Sequence, residues 1–85
     1  MSDFERIRKA VIEFRDKRDW RQFHNPKDLA ISLSLEAAEL LETFQWSGDG
    51  FWCTEKAAEQ QAELADVLIY AIMLADRLGI DPVQP

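Results

Sequence analysis

Eighty-five residues with a formal charge of -6 make one small domain, which on its own buries about two-thirds or less of its unfolded surface, so a partner subunit is an expected source of stability. The acidic balance argues against nonspecific binding to nucleic acid polymers or anionic lipid, both of which select basic patches, and a phosphate-bearing ligand would need metal ions to offset the repulsion. Three Trp and five Phe are more aromatic surface than so short a chain easily hides, and some of these rings are expected to face a ligand or a second subunit.

A first helix is predicted over Asp3 to Lys17. Phe4, Ile7, Val11 and Phe14 recur at helical spacing, with Arg6, Arg8, Lys9, Glu13 and Arg15 elsewhere around the cylinder. Ser2 is placed to cap its N-terminus, and Glu5 completes a capping box. The segment RDWRQFHNP breaks the pattern. Asn25-Pro26 then disfavours helix before the proline and favours it after, which starts a second helix carrying the apolar run from Leu29 to Phe44. SGDG at 47–50 stops it. A third helix is predicted to start at Thr54 and to end near Leu78, closed by Gly79 and Pro82, with Leu64, Val67, Leu68, Ala71, Leu74, Ala75 and Leu78 as its apolar stripe. No strand-like alternation and no internal repeat interrupts this all-α pattern.

Two acidic couplets sit in these otherwise apolar helices: Glu36 with Glu39, and Glu63 with Asp66. At i,i+3 spacing each pair projects from one helical face. Ser32, Glu36, Glu39 and Thr43 form a polar seam on the second helix, and Glu59, Glu63, Asp66 and Tyr70 form one on the third. Antiparallel packing across a short loop lets the seams face each other. Four carboxylates held together in an apolar setting repel one another and resist desolvation, and a divalent cation is their natural partner. No His lies in or near the seams, so the donor set is all oxygen, which suits Mg²⁺ or Mn²⁺ rather than a di-iron centre. The plainer alternative is a non-catalytic helical dimerisation or interaction module with solvated acidic faces, because glutamate is a good helix former. Two couplets on adjacent helices, each set among apolar neighbours, favour the metal site.

Trp20, before the second helix, and Trp46, at its end, lie where the mouth of such a site would be and could stack on a nucleobase, or pack in the core. Tyr70, one turn after Asp66, could hydrogen-bond a sugar or a phosphate, and His24 is a candidate substrate contact. The single Cys53 rules out an intrachain disulfide and a cysteine-based zinc site, which fits a reducing cytoplasm. MSDFERIRKAV lacks the apolar core of a signal peptide, and no run approaches the ~18 apolar residues of a membrane span.

RDWRQFHNPKDLAISLSLEAAELLETFQW, followed by ELADVLIYAIMLADRLGID, closely resembles the MazG-like nucleotide pyrophosphohydrolases, and within them the short dCTP pyrophosphatase-like branch. The likeness spans roughly residues 4 to 81, and the combination of DW-x-QFH, E-x-x-E, FQW and E-x-x-D-V-L-I-Y is far more specific than any one part. It implies an all-α bundle of about three long helices per chain, completed as a dimer or dimer of dimers. It also implies hydrolysis of a nucleoside triphosphate to monophosphate and pyrophosphate, with dCTP or a related pyrimidine deoxynucleotide as substrate and Mg²⁺ as cofactor. By position, Glu36, Glu39, Glu63 and Asp66 would be the metal ligands and catalytic carboxylates, and Trp20, Trp46 and Tyr70 would help form the base and sugar pocket. Family members usually continue past a segment like GIDPVQP into a further helix whose Lys/Asn/Arg-rich stretch contacts phosphates. The expectation for residues 1–85 is therefore a single MazG-like helical domain without that helix.

Overall fold

The computed structural model describes residues 2–23, 25–44 and 56–83 and consists of three helices, α1 (Asp3–Lys17), α2 (Pro26–Glu42) and α3 (Ala57–Leu78), with one turn of 3-10 helix at Trp20–Phe23. Among the described residues there is no strand, and no helix is long and apolar enough to cross a membrane. The expected all-α architecture is what the chain adopts.

Local chemistry sets the helix ends. The Glu5 N–H donates to Ser2 Oγ at 3.1 Å, and Asp3 and Glu5 lie in the first turn while Arg15 and Lys17 lie in the last, each favoured by the helix dipole. Asn25 caps α2 by accepting from the Asp28 N–H at 2.8 Å, with Pro26 in the first turn where its missing donor is not needed. α3 ends on Gly79 at φ +69°, and the Ile80 N–H reaches back to the Ala75 carbonyl at 3.0 Å, a six-residue closure that favours glycine at the left-handed position. The expected start of α3 at Thr54 and the 47–50 loop lie outside the described residues, and so do His24 and Trp46.

α2 and α3 form the principal helix pair, and α1 packs chiefly on α3. The fully covered apolar side chains are Leu29 near the start of α2 and Ile72, Met73 and Ala75 near the end of α3. This core joins opposite ends of the two helices in sequence, as antiparallel packing requires.

Two expectations about helix faces change. On α1 the apolar positions Ile7 and Phe14 are exposed, whereas Arg15, expected among the polar positions, is only 2% exposed. On α3 Leu64, Leu68 and Leu78 are exposed, and of the buried residues Ala75 belongs to the expected stripe while Ile72 and Met73 do not. The cause on α1 is an ionic anchor. Arg15 Nη1 donates to Asp76 Oδ2 at 2.7 Å, Arg15 Nε and Nη2 donate to Asp16 Oδ1 at 3.0 and 2.9 Å, and Arg8 Nη2 donates to Asp76 Oδ1 at 2.8 Å. Burial alone disfavours the guanidinium charge, but the hydrogen bonds from Asp76 and Asp16 outweigh it, and the Arg15 pKa is raised. Helix α1 thus turns its arginines, rather than its whole apolar stripe, toward α3.

Candidate metal centre

Glu36 and Glu39 stand one turn apart on α2, and Glu63 stands on α3. One carboxylate oxygen from each lies within 4.8 Å of the other two, a spacing that could hold a metal ion. Asp66 is outside that tight set, but it is close enough for its charge to act on both Glu36 and Glu63. Glu39 acts on both Glu36 and Glu63, and Asp66, further along α3, adds its charge to both. The packing of α2 on α3 thus brings Glu36, Glu39 and Glu63 of the expected seams together.

The electrostatics of this cluster are unfavourable without a cation. The Glu36 pKa is raised, first by desolvation and then by Glu39, with Asp66 and Glu63 adding to it. The Glu63 pKa is raised by desolvation and then by Glu39, with Asp66 and Glu59 contributing. Glu36 Oε2 and Glu63 Oε2 are both buried with no hydrogen-bond partner. An acceptor shut off from water and left without a donor is destabilising, so two such oxygens in one cluster suit a ligand that accepts electron pairs. The residues fit a hard divalent cation. Every ligand atom is a carboxylate oxygen, the set is close enough to converge, and the orphaned oxygens are the ones most in need of a positive partner.

The other expected residues are disposed on the helices as follows. Ser32 is half-buried on α2, and Thr43 is buried, its Oγ1 donating to the Leu40 carbonyl at 2.7 Å at the end of the helix. Tyr70 is half-buried on α3, and Trp20 is 38% exposed in the 3-10 turn after α1. Gln60 is a residue that the sequence reading passed over. Its Nε2 is buried without a partner, an orphan donor one turn before Glu63 on a helix whose orphan acceptors belong to the cluster. Its place on the same flank as Glu63 was the only available signal, and a glutamine at such spacing is common on any helix. Arg15 and Asp76 were also passed over, although Arg8 and Arg15 lie two turns apart on one face of α1.

Comparison with known proteins follows this geometry. The MazG-like family model matches residues 31–84, the segment that carries all four carboxylates. The chain is 45% identical to dCTP pyrophosphatase 1 of Homo sapiens, over 91% of this chain and 48% of that protein. It is 44% identical to dCTP pyrophosphatase 1 of Mus musculus, over 94% of this chain and 50% of that protein. The chain thus spans about half the length of the curated relatives it matches. Among solved structures, a pyrophosphatase from Archaeoglobus fulgidus superposes with a TM-score of 0.88 at 43% identity, covering 99% of this chain and 82% of that one.

Proposed function

The chain belongs to the MazG-like family, and from that membership we propose that it is a nucleoside triphosphate pyrophosphohydrolase, cleaving the triphosphate between the α and β phosphates. The observation that carries this reading is the converging trio Glu36, Glu39 and Glu63 with two buried, donorless oxygens. The similarity to dCTP pyrophosphatase 1 supports dCTP or a related pyrimidine deoxynucleotide as the substrate.

Glu36, Glu39 and Glu63, with Asp66 beside them, would hold Mg²⁺, or Mn²⁺ in its place. When bound, such a cation supplies charge neutralisation and Lewis-acid polarisation at the phosphoryl oxygens. The helices contribute position: two rigid elements fix the carboxylates, so little reorganisation accompanies the reaction. Water adds to the α-phosphorus, the α–β bridging bond breaks, and pyrophosphate leaves with the bond electrons. A glutamate of the cluster takes the proton of the attacking water, as its carboxylates are the basic groups gathered at this centre. Trp20 and Tyr70 bind the base and sugar, with Trp46 and His24 as further substrate contacts from outside the described residues.

The protein acts as a homo-oligomer, a dimer or dimer of dimers. Leu41 is 71% exposed on α2, and Leu64 and Leu68 are 57% and 48% exposed on α3. So much exposed leucine on a small domain supports burial against a second copy.

Pyrophosphate release measured over a panel of nucleotides, with Mg²⁺ and with chelator, tests the whole reading. The expected result is Mg²⁺-dependent release with a preference for dCTP. No release from any triphosphate by the assembled protein, at saturating Mg²⁺, overturns it.

A further inference from the structure

Phe14 closes the apolar row of α1, yet it is 42% exposed, and its ring is engaged with two neighbours instead of the core. The Phe14 and Trp20 rings meet edge to face, with centroids 5.4 Å apart and planes at 81°. The Arg18 guanidinium carbon lies 3.6 Å from the Phe14 ring centroid and 5.8 Å from that of Trp20, and Arg18 Nη1 donates to the Phe14 carbonyl at 3.3 Å. The backbone enforces this arrangement. Asp19 takes φ +55°, among the described residues the only non-glycine in the left-handed region, and its N–H donates to the Asp16 carbonyl at 3.1 Å. That single turn folds Trp20 back against the helix it has just left.

The geometry points to Phe14 and Arg18 as positioning residues for Trp20, fixing the indole in the orientation in which it receives the base of a nucleotide. The inference rests on the reading of Trp20 as a base-stacking side chain. Trp20 keeps 38% of its surface open to a ligand, while an edge contact from Phe14, the Arg18 cation over that ring and the left-handed turn at Asp19 hold the rest of the indole in one place. They supply preorganisation. A side chain already held in one rotamer does not surrender that freedom when a ligand arrives, and the affinity gained corresponds to about two- to tenfold per immobilised side chain.

The test compares dCTP kinetics, and binding of a nonhydrolysable dCTP analogue with Mg²⁺, for the wild type and for Trp20→Ala, Phe14→Leu, Phe14→Tyr, Arg18→Gln and the Phe14→Leu/Trp20→Ala pair. Phe14→Leu and Arg18→Gln should each weaken analogue binding and raise KM about two- to tenfold at unchanged kcat. Phe14→Tyr should restore the wild-type values, and Phe14→Leu should add nothing once Trp20 is Ala. Melting curves accompany each variant, and Arg18→Gln, at an exposed position, keeps the test alive if Phe14→Leu folds poorly. If Trp20→Ala weakens binding while neither Phe14→Leu nor Arg18→Gln does, or if Phe14→Leu acts equally in the absence of the indole, the positioning role is overturned and base stacking stands. If Trp20→Ala itself leaves affinity and KM unchanged, base stacking by Trp20 falls, and the positioning role falls with it.

Discussion

Glu36 on α2 and Glu63 on α3 each keep one carboxylate oxygen buried and without a donor, and both carboxylates adjoin the same third residue, Glu39. Two helices have been closed over charges that repel one another, a local cost that a bound cation would relieve. Four measurable consequences concern this cluster, the anchor of α1 and the exposed leucines.

Glu36→Gln removes one charge from the cluster while keeping its size. In the metal-free protein the melting temperature should rise, since repulsion and desolvation of a carboxylate are relieved together. Mn²⁺ affinity, measured by calorimetric titration, should fall by tenfold or more, because one carboxylate of the converging trio is lost. In the wild type, Mg²⁺ at about 100 times its Kd should add about 2.7 kcal/mol of stability, read as a rise of roughly 10 °C or more for a domain of this size. A wild-type melting curve indifferent to both ions speaks against the metal centre.

Metal-free stability should fall as pH rises above the ordinary carboxylate range. The folded-state pKa values of Glu36 and Glu63 are raised from 4.5, so in that window the native state binds more protons than the unfolded chain. The contribution is fully present below the unfolded value and is lost as pH passes through the raised folded values. Chemical denaturation at a series of pH values, in chelator, reads it directly. The Glu36→Gln/Glu63→Gln protein should show a flatter profile over the same interval, and equal slopes in the two proteins would refute the assignment.

Asp76→Asn leaves the Arg15 guanidinium, only 2% exposed, with Asp16 as its remaining carboxylate partner. Removing one partner of a buried pair is expected to cost about 3 kcal/mol, since a desolvated charge loses its counter-charge. Arg8→Gln, with a half-exposed side chain in contact with the same carboxylate, should cost less than about 1 kcal/mol. Urea titration of both variants checks the order, and equal losses would show that the buried contact is not the dominant one.

Leu64→Gln with Leu68→Gln tests assembly. Light scattering of the wild type at micromolar concentration should give at least twice the 9.9 kDa chain mass, and the double variant should shift toward monomer and melt at a lower, concentration-dependent temperature. A wild-type monomer that stays folded on dilution contradicts the expected oligomer.

The helix boundaries were legible because local signals set them: Ser2 with Glu5, Asn25 with Pro26, and Gly79 each act within one turn. The meeting of the carboxylates was legible too, because i,i+3 spacing on two antiparallel helices leaves few ways for the seams to avoid each other. The faces of α1 and α3 were less so. Apolar periodicity finds a stripe but does not say whether this chain or another covers it, and Leu64 and Leu68 lie on a face that α1 leaves open. Periodicity is also blind to Arg15, whose burial depends on Asp76, far along the chain. The 3-10 turn at Trp20 depends on one left-handed residue, Asp19, a conformation that aspartate tolerates but does not announce.

Asp76 gives one oxygen to Arg8 and the other to Arg15, which grips α1 at two points two turns apart. A rod held at two points can neither roll about its axis nor slide along its neighbour. The register of α1 is thus locked by a carboxylate whose hydrogen bonds go to Arg8 and Arg15, and not to Phe14 or Arg18, the proposed positioning residues. Those two can be exchanged without loosening the lock, and the acidic cluster lies on other helices. Any redesign of the base contacts proposed for Trp20, Tyr70 and Trp46 would start from Arg8, Arg15, Asp76 and the four carboxylates as a fixed chassis.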